Sequence, residues 1–143
     1  MANCYVLCGI PGSGKSTLAI RLSEQNKAKL YRFDDMPESR ISKKSRHAHE
    51  TIWRNVAEEV EYQNVVFDDL NTTLFFRQKL LEQLSKVDCK KILYVITTPL
   101  GECLERNSKR IGKERLPDFI VTSLYSNFEQ PTLDEGWDEI IYV

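Results

Sequence analysis

Apolar positions along this chain follow two alternating patterns. Short continuous runs, such as Val65-Val66-Phe67 and Ile92-Leu93-Tyr94-Val95-Ile96, suit parallel strands buried on both faces. Strands are predicted near 4–8, 30–33, 64–68, 91–97 and 139–143. Between them apolar residues recur at helical spacing. One helix, starting near residue 15, carries Leu18, Ala19 and Leu22 on one face. A second, about 47–62, places Ala48, Ile52, Val56 and Val60 four apart, with Trp53 and Ala57 beside them. A third, about 73–86, gathers Phe76, Leu80, Leu81 and Leu84. A short helix is predicted near 101–107, and another after Leu116-Pro117, with Ile120, Val121 and Leu124; proline fits a first helical turn. Strands alternating with helices imply an α/β fold in which right-handed crossovers cover both faces of a five-stranded parallel sheet. The functional site of such a sheet lies at the carboxyl ends of its strands.

Composition adds bounds. A chain of 143 residues suits one domain around one core. With 41% apolar and 29% charged residues, the balance is that of an ordinary globular protein. A net charge of −1 means that any nucleic-acid binding comes from a local patch. No apolar run approaches the roughly 18–20 residues needed to span a bilayer, so no membrane partner is expected. Met1-Ala2-Asn3 leads straight into an apolar strand with no signal-peptide pattern, and the expected location is cytoplasmic. Cys4, Cys8, Cys89 and Cys103 form no C-x-x-C pair and no zinc spacing; they read as reduced, mostly buried thiols. Cys8 abuts the glycine-rich loop, where oxidation would be felt.

That loop carries the clearest chemistry. Gly9-Ile-Pro-Gly-Ser-Gly-Lys-Ser matches G-x-x-x-x-G-K-[ST], with a strand before it and a helix after. Glycines let successive backbone N–H groups turn inward onto phosphate oxygens, and the following helix adds its positive end. Gly9, Gly12, Ser13, Gly14, Lys15, Ser16 and Thr17 are therefore the candidate ATP-binding residues. Lys15 is placed to reach the β- and γ-phosphates and Ser16 to give a hydroxyl to Mg²⁺.

Two acidic pairs close predicted strands: Asp34-Asp35 and Asp68-Asp69. Phosphoryl transfer needs one carboxylate for the acceptor's proton and one for the metal. Alternation along extended chain turns one member of each pair toward the site. Asp34 is the candidate base and Asp68 the candidate metal carboxylate, although which of Asp68 and Asp69 faces the metal stays open. Arg106, Lys109, Arg110, Lys113 and Arg115 follow the fourth strand and suit a lid over about 105–117, closing on the transferring phosphoryl group. Arg106 and Arg110, four apart, would share a helix face. A second basic run, residues 40–46, is either an anionic-acceptor contact or a solvated loop. His47 and His49, two apart at a helix start, have poor metal-binding geometry and are given no role.

These segments resemble the kinase domain of the polynucleotide 5′-hydroxyl kinase family, an AAA-type ATP-binding kinase domain grouped with zeta-toxin-like and seryl-tRNA kinases. Phe33-Asp34-Asp35 resembles the family's Arg-Asp-Asp stretch, whose first Asp is the base. Asp68-Asp69-Leu70-Asn71 resembles its Asp-Thr-Asn motif, with Asp68 or Asp69 in the acidic place and Asn71 in the amide place. Glu105-Arg-Asn-Ser-Lys-Arg110, followed by Leu116-Pro117, is similar to its lid motif, and residues 128–140 to the end of its domain. Pro37 stands where the family has an acceptor-binding arginine, and the nearest arginine is Arg40. The resemblance implies a three-layer P-loop NTPase sandwich over residues 1–143 with a short helical lid. It implies Asp34 as base, Arg106 and Arg110 over the phosphoryl group, and Asp35, Arg40, Asp69 and Asn71 toward the substrate. The expected reaction is transfer of the ATP γ-phosphoryl group to a hydroxyl, a nucleic-acid 5′-OH first. The alternatives are a small-molecule or aminoacyl-tRNA kinase, and an ATP-binding regulatory or toxin-like module without transfer. Oligomeric state is left open.

Overall fold

In the computed structural model, which describes residues 1–36 and 45–143, five strands form one parallel sheet. They are β1 (Ala2–Cys8), β2 (Lys29–Arg32), β3 (Val65–Asp68), β4 (Cys89–Val95) and β5 (Glu139–Tyr142), lying in the order β2-β3-β1-β4-β5. Five α-helices connect or flank them: α1 (Lys15–Gln25), α2 (Ser45–Val60), α3 (Leu74–Leu84), α4 (Leu100–Ser108) and α5 (Asp118–Ser126). Strand and helix boundaries fall within one to three residues of the predicted ones.

The pleat of β1 explains the layers. Tyr5 and Leu7 point to one face, where they meet Leu18, Ala19 and Leu22 of α1. Cys4, Val6 and Cys8 point to the other and meet α2 and α3. The predicted stripe Ala48, Ile52, Trp53, Val56, Ala57 and Val60 is the buried face of α2. On α3 the buried face holds Leu80, Leu81 and Leu84, but also Arg77. A smaller cluster of Ile10, Cys103 and Val121 joins α4 and α5 to the loop after β1. Among the described residues no helix is long and apolar enough to cross a membrane.

Register places the chemistry. Arg32 and Asp68 are paired residues at the carboxyl ends of β2 and β3. Cys8 ends β1 beside Val95 of β4, so the glycine-rich loop leaves from the middle of the sheet.

All four cysteines are free and buried. Burial pushes the Cys8 thiol up to about 12, with Arg77 opposing it only in part. Burial raises the Cys4, Cys89 and Cys103 thiols as well. Thiolate is the reactive form, so iodoacetamide at neutral pH is expected to label none of the four in the folded protein and all four in denaturant. Rapid native labelling of Cys8, measured by mass spectrometry, would contradict this packing.

Candidate functional site

The loop between β1 and α1 is built by its backbone. Gly12 and Gly14 sit at φ 83° and 93°, the left-handed region that costs an L side chain strain. Gly14 is the N-cap of α1 and makes no side-chain cap, so the first N–H groups of the helix are left for a ligand. Gly9 donates its N–H to Leu70 O at 3.0 Å, tying the loop's start to the segment after β3. Ser13 is buried; its carbonyl accepts from Thr98 Oγ1 at 2.7 Å. Its hydroxyl has no hydrogen-bond partner among the described residues.

Gly12 is also a point of close approach. A Cβ there would lie 2.4 Å from the Cys103 carbonyl oxygen on α4. Gly12→Ala is therefore expected to displace the loop from α4 and to cost about 1–3 kcal/mol from backbone strain alone. Thermal denaturation together with nucleotide titration checks this; unchanged stability and affinity would show that the loop does not need this φ.

Behind the loop, Asp68 is a hub. Lys15 Nζ lies 2.7 Å from its Oδ1. Ser16 Oγ donates to its Oδ2 at 3.3 Å, and Arg32 Nε approaches the same oxygen at 3.2 Å. Arg32 Nη2 reaches Ser16 Oγ at 3.0 Å. The hydroxyl of Ser16 and the carboxylate of Asp68 are hard oxygen donors brought together, a set that fits Mg²⁺. Arg32 was not foreseen; the signal was a cation ending the strand before Asp34-Asp35.

A cleft of about 690 Å³ opens over this hub. Gly12, Gly14, Lys15, Ser16 and Thr17 form its floor. Asp34, Asp69, Asn71, Arg106 and Arg110 line it as well. Gly9, Ser13 and Asp68 lie outside its lining, and so does Asp35, an exposed residue. Asp34 does not close a strand: it sits in a 3-10 turn, Phe33–Asp35, beyond β2. Pro37, Arg40 and most of the basic run fall outside the described residues.

Asp69 takes Leu70 N–H on Oδ1 at 2.8 Å, and its Oδ2 faces His49 Nε2 at 3.1 Å. His49 thus enters the site, against the expectation from its spacing, because the start of α2 packs on the loop after β3. Asn71, at φ 51°, points its amide inward and donates to Leu7 O at 2.8 Å. Its carbonyl receives Arg77 Nη1 at 3.0 Å and the Cys8 thiol at 3.2 Å. Arg77, fully buried, also grips both oxygens of Glu135 at 2.8 and 3.1 Å. Asn71 is thus held as part of the frame under the site.

The basic segment is not one helix. α4 ends at Ser108, so Arg106 and Arg110 do not share a helical face as their spacing suggested. Asn107 ends it: its side chain donates to Leu116 O at 2.7 Å and accepts Leu116 N–H at 3.1 Å, folding the chain back. Arg106 and Arg110 nevertheless line the same cleft. Arg106 Nη2 pairs with Glu102 at 2.7 Å, while its Nη1 approaches Gly12 O at 3.4 Å.

Solved structures share this architecture. The Kti12 of Chaetomium thermophilum, in complex with ADP-AlF3, superposes with a TM-score of 0.75 at 18% identity, covering 98% of this chain and 88% of that one. A putative kinase from Chloroflexus aurantiacus gives a TM-score of 0.79 at 16% identity, covering 99% and 84%. A gluconokinase from Sinorhizobium meliloti gives 0.70 at 19% identity, covering 99% and 81%. The fold is that of the P-loop kinases, as the motif and strand pattern indicated. The family described as chromatin-associated protein KTI12 matches residues 4–142, nearly the whole chain, and the chain belongs to that family.

Proposed function

We propose that this chain is an ATP-dependent phosphotransferase that passes the γ-phosphoryl group to a hydroxyl. The observation that carries the reading is the meeting of Lys15, Asp34, Arg106 and Arg110 in one cleft over the glycine-rich loop. Mere nucleotide binding needs neither an added carboxylate nor two arginines in the cleft with the loop. The ADP-AlF3 held by the Chaetomium Kti12 supports an adenine nucleotide as the ligand.

In this reading the loop amides and Lys15 hold the triphosphate, ATP entering as substrate. Ser16 and Asp68 hold Mg²⁺, which neutralises phosphate charge when bound. Lys15 leaves Asp68 Oδ1 for the phosphates, and Asp68 keeps Arg32 and Ser16 as partners. Asp34 takes the proton of the acceptor hydroxyl. Arg106 and Arg110, on a lid spanning about 105–117, set their guanidiniums against the transferring group in place of water. Asp69 and Asn71 belong to the acceptor side; Asn71 acts through its place in the frame.

A nucleic-acid 5′-OH is the first acceptor to test. A small hydroxyl compound is the second reading, favoured by the gluconokinase among the structures with this fold. Radiolabelled γ-ATP with 5′-OH DNA, 5′-OH RNA, nucleosides, tRNA and sugars separates them. Label in no acceptor, with ATP still bound, would leave a nucleotide-binding module and remove the transferase reading.

Asp34→Asn is the test of the base. Turnover is expected to fall about 10²–10⁴-fold, the usual worth of a positioned base, with ATP affinity nearly unchanged. Near-normal turnover would move the proton to another group.

A further inference from the structure

His49 has no part in the reaction as proposed above, yet it is built into the site's wall. Its side chain is 12% exposed and that of Asp69 10%. The ring lies on Phe33 with centroids 3.7 Å apart and planes 13° from parallel. Phe33 immediately precedes Asp34 in the same short 3-10 turn. The His49 ring also meets Phe76 of α3, with centroids 4.9 Å apart, and Trp53, one turn along α2, at 5.4 Å. The ring therefore joins α2, the turn after β2 and the loop after β3 at the edge of the cleft.

Hydrogen-bond partners decide what such a ring can do. Nδ1 faces Ser45 O at 3.1 Å. A carbonyl only accepts, so Nδ1 carries a hydrogen. Nε2 faces Asp69 Oδ2 at 3.1 Å, and a hydrogen bond there requires one proton between the two atoms. Neither ring nitrogen keeps a free lone pair for an acceptor hydroxyl. His49 is thus poorly arranged as a base and well arranged as a strut.

We propose that the His49–Asp69 couple is a positioning device for the acceptor wall. Asp69 fixes the ring, the ring fixes Phe33, and Phe33 sets where Asp34 stands in the cleft that Lys15 also lines. The proposal rests on the phosphotransfer reading for its kinetic consequence but not for its structural one. Small displacements of a reacting group cost rate steeply, so loss of the strut shows in kcat while the phosphate cradle is untouched.

The experiment compares wild type, His49→Ala and His49→Gln with γ-labelled ATP and a 5′-OH oligonucleotide, alongside backbone hydrogen exchange. His49→Ala is expected to lower kcat by about 10–100-fold with ATP affinity within about twofold. His49→Gln, which still donates to Asp69, recovers a substantial part of the loss. The Met36 amide, bonded to Phe33 O at 3.0 Å, exchanges about tenfold faster in His49→Ala and is restored in the glutamine variant. The Leu18 amide, bonded to Gly14 O at 3.2 Å at the start of α1, is unchanged. Unchanged Met36 exchange in His49→Ala overturns the proposal, and so does a glutamine variant no better than alanine at restoring it. If wild type labels the oligonucleotide not at all, the transferase reading fails for that acceptor, while the exchange pattern still accepts or rejects the strut.

Discussion

Replacing Lys15 with methionine is expected to cut ATP-dependent turnover by about 10²–10³-fold, the cost of removing one preorganised donor from a developing charge. Folding should survive. Lys15 Nζ sits 2.7 Å from Asp68 Oδ1, and Asp68 is almost wholly buried. Stripping a buried carboxylate of its only cation would be severe. Here Arg32 remains at 3.2 Å and Ser16 Oγ at 3.3 Å, so the charge stays compensated. The melting temperature should therefore move by only a few degrees while the reaction is lost. Lys15→Arg is not expected to rescue it. A planar fork cannot reproduce a point charge on a flexible stem inside a loop shaped for the latter. Steady-state turnover, calorimetric ATP titration and thermal denaturation on the same preparations check this. A methionine variant with near-normal turnover would remove the loop from the chemistry and the phosphotransfer reading with it.

Much of this arrangement was legible because the physics is local. A phosphate loop needs left-handed glycines, a strand before and a helix after, all in one continuous stretch of chain, and Gly12 and Gly14 adopt those angles. The buried stripe of α2 follows from a period of 3.6 and matches residue for residue. What stayed hidden depends on register between distant segments. Arg32 meets Asp68 because β2 pairs with β3 in one particular offset. His49 meets Asp69 because α2 starts over the end of β3, and spacing within α2 says nothing of that. Arg110 reaches the cleft without a helix because Asn107 reels in Leu116. One signal was available and unread: Arg77 lies three and four residues before Leu80 and Leu81, on the apolar stripe, where a cation demands a partner.

That partner gives the largest stability effect. Arg77→Met is expected to destabilise the fold by about 3–5 kcal/mol, the range for removing one member of a buried ion pair. The guanidinium makes three bonds at once, to both oxygens of Glu135 and to the Asn71 carbonyl, joining α3, the 3-10 turn Leu133–Glu135 and the loop beneath the site. Without it Glu135, 7% exposed, keeps a charge with no counter-ion among the described residues, and among them Asn71 O keeps only the Cys8 thiol. The remaining acceptor bonds of Glu135, from Trp137 Nε1 and the Thr132 N–H, are neutral. Adding Glu135→Gln should restore part of the loss, since an amide oxygen still accepts from Trp137 and no charge is stranded. The double variant is then more stable than the Arg77→Met single, a sign opposite to additivity. Acid gives a third view of the same pair. Burial pushes the Glu135 carboxyl up, but the bonds from Arg77 and Trp137 and the Arg77 charge outweigh it and hold the carboxyl below its ordinary value. A carboxyl depressed in the folded state contributes stability that is present above its unfolded value, about 4.3, and lost as pH falls through the folded one. Wild type should therefore lose stability on acidification below about pH 4, with a shallower slope in Glu135→Gln. Urea denaturation of the four proteins across that range reads all three effects, and equal slopes with additive losses would mean that the pair is only a contact and not the tie between the tail and the site.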